Sequence, residues 1–429
     1  MRFEFIRRTG AAMLAAAFVL CSFSVQAADE SIPDPFANLK QQQANQAGTP
    51  PNPFAAAVDP NTPIVIPEPP TFDAQAWVLM DCASGQVLFE HNSHEKIWPA
   101  SLTKMMTSYV IGMEYKAGRL HDDDKVVITE DAWSKNSTYA DSSKMFIEVG
   151  KEIKAGDLNR GIIIQSGNDA CVAMALHLAG SEAGFVSVMN NYAAQMGLTG
   201  TNFANVHGLF DEMNYSTAYD MALLSRRLIL DLPNEYAIYK EKEFTFNGIK
   251  QYNRNRLLWD DTMNVDGIKT GHLSQVGYNL AASAEQGGMR LIAVLIGAKS
   301  EALRANFCKQ MLTYGFRFFE NYTPFTKDKT ILTREVRMGA EDSVDLVVPE
   351  DVALMIPRGS QQRIKINYRL NQAVFTAPIA QGQELGVIEF RLDDKVLAQY
   401  PLTARNAVAE GGFISKLWDK IYLFFTGDE

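Results

Sequence analysis

The chain has 429 residues, a formal net charge of -10, and a composition of 47% hydrophobic and 21% charged residues. That length supports a substantial core and more than one domain, and so acidic a chain is excluded as a non-specific nucleic-acid binder. No run after the N-terminus is long and apolar enough for a transmembrane helix.

Arg2, Arg7 and Arg8, the apolar run from Ala11 to Leu20 and the small residues of Val25-Gln26-Ala27 predict a secretory signal over residues 1–27. Its removal takes three cations and Glu4 away, leaving 37 minus 49, or -12. Leu20 is not the small residue that lipidation of Cys21 requires. The exported chain keeps Cys82, Cys171 and Cys308, too few and too odd a number for a disulfide framework, so buried single thiols with at most one pair are expected. There is no His-Glu-x-x-His and no Cys-x-x-Cys, and His91-x-x-His94 reads as a solvated loop, so no metal and no other cofactor is implied.

Residues 28–70 are rich in Pro, Gln, Ala and Asn and read as a disordered tether. Ala76 to Met80 and Gln86 to Phe89, joined through Ser84-Gly85, predict a hairpin. It leads into Pro99-Ala100-Ser101-Leu102-Thr103-Lys104-Met105-Met106-Thr107. Leu102, Met105, Met106, Tyr109, Val110 and Met113 fall at helical spacing, predicting a helix that stops before Gly118, with one apolar stripe toward a core. Ser101 and Lys104, three residues apart near its first turn, lie off the stripe and share a face, so the amine can take the hydroxyl proton. Such a tetrapeptide is weak by itself.

A second helix is expected from an Asp157 N-cap through Ile162-Ile163-Ile164, broken at Ser166-Gly167-Asn168. A third, capped by Asn168 or Asp169, runs from Ala170 to Ala179 and closes at Gly180. A helical segment around Phe185 to Met196 precedes the aperiodic stretch Thr201 to Leu209. Phe244, Phe246 and Ile249 fit strand spacing loosely, and Asn253-Arg254-Asn255 follows. Val265 to His272 reads as a strand; Tyr278 to Ala284 and Met289 to Ile296 flank Gly287-Gly288 as a hairpin, placing the Lys269 strand in an antiparallel sheet. A helix from Arg304 to Phe319 would pack on it. The expected architecture is an α/β (α+β) domain over 71–321, with helices against an antiparallel sheet.

Over 322–405 the strict alternation of Arg363 to Leu370 and the hairpin of Val387 to Leu392 with Val396 to Leu402 predict a small all-β domain. In 406–429, Phe413, Ile414, Leu417, Trp418, Ile421, Phe424 and Phe425 occupy one helical face opposite Ser415, Lys416, Asp419 and Lys420. That segment is expected to lie in a membrane interface.

Ser101-x-x-Lys104, Ser166-Gly167-Asn168 and Lys269-Thr270-Gly271 follow one another at separations of 65 and 103 residues. This order is the motif set of penicillin-binding proteins and serine β-lactamases. With Thr201 to Leu209, Asn253 to Asn255, Asp266 to His272, Gly315 to Glu320, the β domain and the amphipathic end, the chain from about residue 71 onward resembles the low-molecular-mass D-alanyl-D-alanine carboxypeptidases. The resemblance implies an exported enzyme on the periplasmic face of the inner membrane that takes peptidoglycan stem peptides and β-lactam antibiotics, with no nucleic-acid partner. Its fold would be that of penicillin-binding, β-lactamase-like transpeptidase domains.

In that reading Ser101 attacks the carbonyl between two D-alanines, and Lys104 is the base. Lys104 has to be neutral, and the Lys269 cation is expected to depress its pKa. Ser166 passes the proton to the departing amine; Asn168 holds the substrate amide and Lys104; Lys269 and Thr270 face the carboxylate; Gly271 lets the strand approach the substrate backbone. The resemblance further implies an oxyanion hole from the backbone N–H groups of Ser101 and His272, and places Arg254 and Arg304 near the site. Three alternatives remain open here: a serine β-lactamase, for which Glu243-x-x-x-Asn247 is only a superficial match to the deacylating glutamate; a DD-endopeptidase; and a non-catalytic peptidoglycan-binding protein.

Overall fold

Alternation along one strand sets the plan of the first domain. In β1 (Ala76–Asp81) the side chains of Ala76, Val78 and Met80 enter one core, and those of Trp77 and Leu79 enter another. A strand with two apolar faces needs cover on both sides. A computed structural model describes residues 66–412, so the signal, most of the tether and the amphipathic segment 413–429 lie outside the described residues.

β2 (Val87–His91) pairs antiparallel with β1, as the hairpin signal predicts. A tight 3-10 turn over Ala100–Thr103 then leads into α1 (Lys104–Lys116). A two-stranded ribbon, β3 (Lys125–Val127) with β4 (Glu152–Lys154), precedes α2 (Ala155–Arg160), which runs into a π-helical turn over Gly161–Gln165. α3 (Asn168–Ala179), α4 (Glu182–Gln195), α5 (Ala218–Asp231) and the short α6 (Pro233–Tyr236) follow. β5 (Glu243–Phe246) and β6 (Ile249–Tyr252) make an outer hairpin. β7 (Val265–Leu273), β8 (Gly277–Gln286) and β9 (Met289–Ala298) then complete a sheet ordered β2-β1-β9-β8-β7, antiparallel throughout.

Helices cover both faces of this sheet. Met105, Ile163, Met174, Phe185, Met221 and Leu228 join the first core, while α7 (Glu301–Phe318) supplies Ala305, Cys308, Met311 and Phe316 to the second. Gly315 on α7 lets the helix lie close to the sheet, since a Cβ there would stand 2.4 Å from Leu291 Cδ1.

Several boundaries differ from the sequence expectation for identifiable reasons. α1 begins at Lys104, so Ser101 sits in the preceding 3-10 turn. Every residue from Lys104 to Gly112 is buried, because α1 packs among α3, α4, α5 and the π turn, and the polar groups off the apolar stripe have partners of their own. Thr107 Oγ1, for example, donates to the Val206 carbonyl at 2.6 Å. α2 starts two residues ahead of Asp157, because the carbonyls of Asp124 and Asp122 accept the N–H groups of Ala155 and Gly156 in place of a capping side chain. α3 starts at Asn168, and Asp169 instead accepts from the backbone N–H groups of Met145 (2.8 Å) and Phe146 (2.9 Å), pinning a loop over the site. Amphipathic α5 has no counterpart in the sequence reading, and the 304–319 helix ends at Phe318 because Phe319 opens a strand.

β10 (Phe319–Tyr322) leads into the second domain, where β11 (Thr330–Arg337), β12 (Ser343–Val347), β13 (Leu354–Pro357), β14 (Ile364–Leu370), β15 (Phe375–Thr376), β16 (Glu384–Leu392) and β17 (Lys395–Ala404) contain only one 3-10 turn between them. β10 and β13 pair with each other, and the rest form a sheet ordered β14-β16-β17-β12-β11-β15. At the other end, Ile66 packs on the second core of the first domain and the Pro67 carbonyl accepts the Tyr314 hydroxyl at 2.8 Å.

Candidate active site

The 3-10 turn, α1, the break after the π turn and β7 converge on a cavity of about 700 Å³. Ser101, Asn168, Arg254, Thr270, Gly271, His272 and Arg304 all line it. Lys104, Ser166 and Lys269 are 1%, 1% and 4% exposed and form its buried backing.

Ser101 Oγ and Lys104 Nζ are 3.1 Å apart. Lys104 Nζ also donates to the backbone carbonyl of His207. A neutral amine has two N–H donors and one lone pair, and this setting gives one N–H a carbonyl while the lone pair can face the serine hydroxyl. Burial lowers the Lys104 pKa from 10.5 to about 8, with the Arg254 cation adding to the effect and the Cys171 and Asp169 side chains opposing it. Burial, rather than the Lys269 cation expected from the sequence, is therefore the main cause. Lys269 is itself pushed well below its ordinary value by burial and then by the Lys104 and Arg254 charges.

His207 and Gly208 carry no marked role in the sequence reading, although they stand in the quoted 201–209 stretch. The His207 imidazole is held down to about 3 by burial and the Lys104 charge, so it is neutral. Its Nδ1 accepts from the Leu209 N–H at 3.2 Å, which assigns the proton to Nε2. Asn205 Oδ1 accepts the Gly208 N–H at 2.7 Å and fixes the turn. Gly208 has φ +83°, and a Cβ there would lie 1.9 Å from the Ala100 carbonyl oxygen. Its small size and left-handed backbone let the His207 carbonyl reach Lys104.

Ser166 adopts a left-handed backbone, φ 61°, at the end of the π turn. Its buried Oγ and the Asn168 Oδ1 have no hydrogen-bond partner among the described residues. Asn168 Nδ2 donates to Ser142 Oγ at 2.8 Å rather than to anything on Lys104. Both groups are therefore free to meet water or a substrate.

Gly271 lines the cavity and makes a second close approach that the sequence does not announce. A Cβ there would meet the Pro99 carbonyl at 3.0 Å, Ala100 Cβ at 3.1 Å and the Ser101 N at 3.3 Å, so the glycine lets β7 close on the Ser101 turn. Residues 271 and 272 thereby run alongside the Ser101 N–H. His272 is exposed, with its ring 4.2 Å from that of Tyr278. Arg304, 3% exposed, donates to the Gly271 carbonyl at 3.2 Å and lies over the Tyr278 ring. Arg254 donates to Ser143 Oγ. Its neighbours hold its turn in place: Asn255 Nδ2 donates to the Gly267 carbonyl on β7 at 2.7 Å, and Asn253 Nδ2 to the Tyr239 carbonyl at 3.3 Å.

Arg254 and Arg304 line the cavity, and the buried Lys269 amine feels the charge of both. Glu301, 3.8 Å from Arg304 and 3.2 Å from Arg256, offsets only part of that charge. The candidate lactamase glutamate is elsewhere: Glu243 is on the β5–β6 hairpin, exposed and paired with Lys250 at 2.7 Å. Cys82, Cys171 and Cys308 are buried free thiols. Among the described residues no group of three or more His, Cys, Asp or Glu is placed to hold a metal.

Residues 64–300 match the D-alanyl-D-alanine carboxypeptidase family of peptidases, and residues 319–410 match the C-terminal domain of penicillin-binding protein 5. The chain is 50% identical over 359 residues to the D-alanyl-D-alanine carboxypeptidase DacC of Escherichia coli, covering 83% of this chain and 90% of that one. It is 47% identical over 360 residues to DacA of Haemophilus influenzae, covering 84% and 91%. Among solved structures, penicillin binding protein 5 from Haemophilus influenzae superposes with a TM-score of 0.78 at 47% identity, over 80% of this chain and 99% of the other.

Gly208→Ala tests the backbone contact on which Lys104 depends. It is expected to destabilise the protein by about 1–3 kcal/mol, from left-handed strain plus overpacking, and to slow acylation by penicillin at least tenfold, about the loss that displacement of the base implies. Denaturant unfolding and stopped-flow acylation read the two effects.

Proposed function

The chain belongs to the D-alanyl-D-alanine carboxypeptidase family of serine peptidases, and from that membership and the cleft geometry we propose how it removes the terminal D-alanine from peptidoglycan pentapeptide stems. The observation that carries the reading is the 3.1 Å approach of Ser101 Oγ to a buried Lys104 Nζ.

The substrate carboxylate enters the cationic end, against Lys269, Thr270 and the two arginines. A carboxylate there replaces the water that Lys269 has lost, and so restores its charge. With Lys269 and Arg254 charged, a neutral Lys104 is favoured. Ser101 Oγ attacks the carbonyl carbon between the two D-alanines as its proton passes to Lys104 Nζ. The oxyanion that forms is met by the backbone N–H groups of Ser101 and His272, in line with the close run of β7 along the nucleophile turn. Ser166 passes the proton from Lys104 to the departing amine. Free D-alanine leaves, and an ester on Ser101 remains. Water then attacks the ester carbonyl as Lys104 takes its proton, and Lys104 returns that proton to Ser101 Oγ as the C–O bond breaks, freeing the shortened stem peptide and regenerating the serine. Asn168 holds the substrate amide.

A β-lactam presents a strained amide beside a carboxylate and acylates Ser101 by the same route, but its leaving amine stays tethered. Rapid β-lactam hydrolysis is disfavoured because Glu243 is far from the role of a deacylating base, on an outer hairpin. A purely non-catalytic binding role would give no reason to bury an amine against a serine.

We further propose that residues 1–27 direct export, that the β domain over 322–405 holds the catalytic domain of 71–321 off the membrane toward the wall, and that 406–429 anchors the chain to the periplasmic face of the inner membrane. The support for the anchor is the apolar side-chain set Phe413, Ile414, Leu417, Trp418, Ile421, Phe424 and Phe425, spaced to share one helical face.

Ser101→Ala is expected to lose D-alanine release from a pentapeptide mimic by about a thousandfold or more, and to form no penicillin adduct. Release at the wild-type rate would overturn the assignment. Deleting residues 413–429 should move the protein from the membrane fraction to the soluble one, and unchanged sedimentation with membranes would refute the anchor.

A further inference from the structure

Behind the cleft lies a buried carboxylate to which the reaction assigns no task. Glu235 on α6 is 6% exposed. Its Oε1 accepts from Ser108 Oγ at 2.7 Å and its Oε2 from Asn159 Nδ2 at 2.8 Å. Neither partner is a cation, so the acid bears the cost of burial without a direct ion pair. An apolar side chain would fill the same space at lower cost. Two converging donors on different helices explain why a group with two acceptor oxygens is there instead.

The positions of those donors matter. Ser108 is four residues after Lys104 on α1, hence on the same face of the helix. Asn159 is on α2, seven residues before Ser166 and directly ahead of the π turn that ends in it. The same stretch of chain reaches a third element: Tyr236 Oη donates to Asp266 Oδ1 at 2.8 Å, three residues before Lys269 on β7. A Cβ on Gly267 would stand 2.5 Å from that hydroxyl, so the contact is close.

We propose that Glu235 is a positioning residue that fixes the spacing between the helix carrying Lys104 and the helical turn that ends in Ser166. The proposal rests on the roles given above to Ser101, Lys104 and Ser166. Proton transfer from Ser101 to Lys104 and on through Ser166 requires the three to come within hydrogen-bond reach once substrate is bound, and a shift of about 1 Å between their helices costs up to a hundredfold in rate. Substrate binding at Lys269, Thr270, Arg254 and Arg304 uses other contacts, so the expected loss falls on kcat rather than KM.

The test uses the full chain, with kcat and KM on a D-alanyl-D-alanine peptide and the rate constant for acylation by penicillin. Glu235→Ala is expected to lower kcat and the acylation rate about tenfold or more, with KM within about twofold. Glu235→Gln is expected to stay within about threefold of wild type, because its amide oxygen accepts from Asn159 while its N–H donates to a reversed Ser108 hydroxyl. Should Glu235→Ala fail to fold, Ser108→Ala and Asn159→Ala each cut one arm of the bridge. Each single variant should then lower kcat, and the double variant should be no slower than the slower single, because breaking either arm uncouples the helices. Unchanged kcat in folded Glu235→Ala or in both single variants, a loss confined to KM, or losses that multiply in the double variant would overturn the proposal. Ser101→Ala reports separately on the roles beneath it: a penicillin adduct persisting in that variant would remove the reading of the site while leaving the bridge measurable.

Discussion

An amine held where water cannot solvate its charge is the constraint on which the rest of this structure depends. Lowering the Lys104 pKa from 10.5 to about 8 corresponds to roughly 3 kcal/mol of differential interaction between its two protonation states. In the unfolded chain the amine is charged to about pH 10, so between about 8 and 10.5 the unfolded state binds more protons, and stability rises with pH in that window. Below it the folded state carries the full cost of the buried group. The features around it follow from that cost: α1 is buried on all sides rather than along one stripe, the His207 carbonyl supplies an acceptor, and Gly208 and Gly271 bring two backbones into contact with the nucleophile turn where a Cβ would hold them apart.

The second requirement is opposite in sign to the molecule as a whole. The chain has a net charge of -10, yet the cleft gathers Lys104, Lys269, Arg254 and Arg304. The two arginines keep a positive field in the cleft of an acidic protein, and the same field opposes a charge on either buried lysine. The antiparallel sheet provides the platform, because β7 at its edge carries Lys269, Thr270, Gly271 and His272 in alternation. Thr270 and His272 line the cavity, while Lys269 is buried beside Lys104. Asn253 and Asn255 then tie the Arg254 turn to that strand and its neighbourhood.

How far the sequence speaks depends on whether a feature is local. The β1–β2 hairpin, the β8–β9 hairpin around Gly287-Gly288 and the alternating strand Ile364–Leu370 are set by neighbours in the chain and are readable there. So is Ser101-x-x-Lys104, because three residues of helical chain fix its geometry. Helix α5 also had a local signal, the Thr217 hydroxyl capping the Asp220 N–H at 3.0 Å ahead of Met221, Leu224 and Leu228, but it lies in a stretch where no motif drew attention. The reach of His207 to Lys104 spans 103 residues and that of Glu235 to Ser108 spans 127. No periodicity records such contacts. The close approach of Gly271 to the backbone of Pro99 to Ser101 is equally non-local: the strand is legible in the sequence, its neighbour is not.

The pH dependence of acylation by penicillin addresses the central claim most directly, since it reads the protonation state of the base during bond formation. If Lys104 acts as a neutral amine, the rate constant rises about tenfold per pH unit at low pH and levels off through an apparent pKa near 8. That limb should be lost in Lys104→Ala along with most of the rate. A rate independent of pH between about 6 and 10 in the wild-type protein would contradict the account, leaving the serine in place but taking the proton-accepting role away from the lysine.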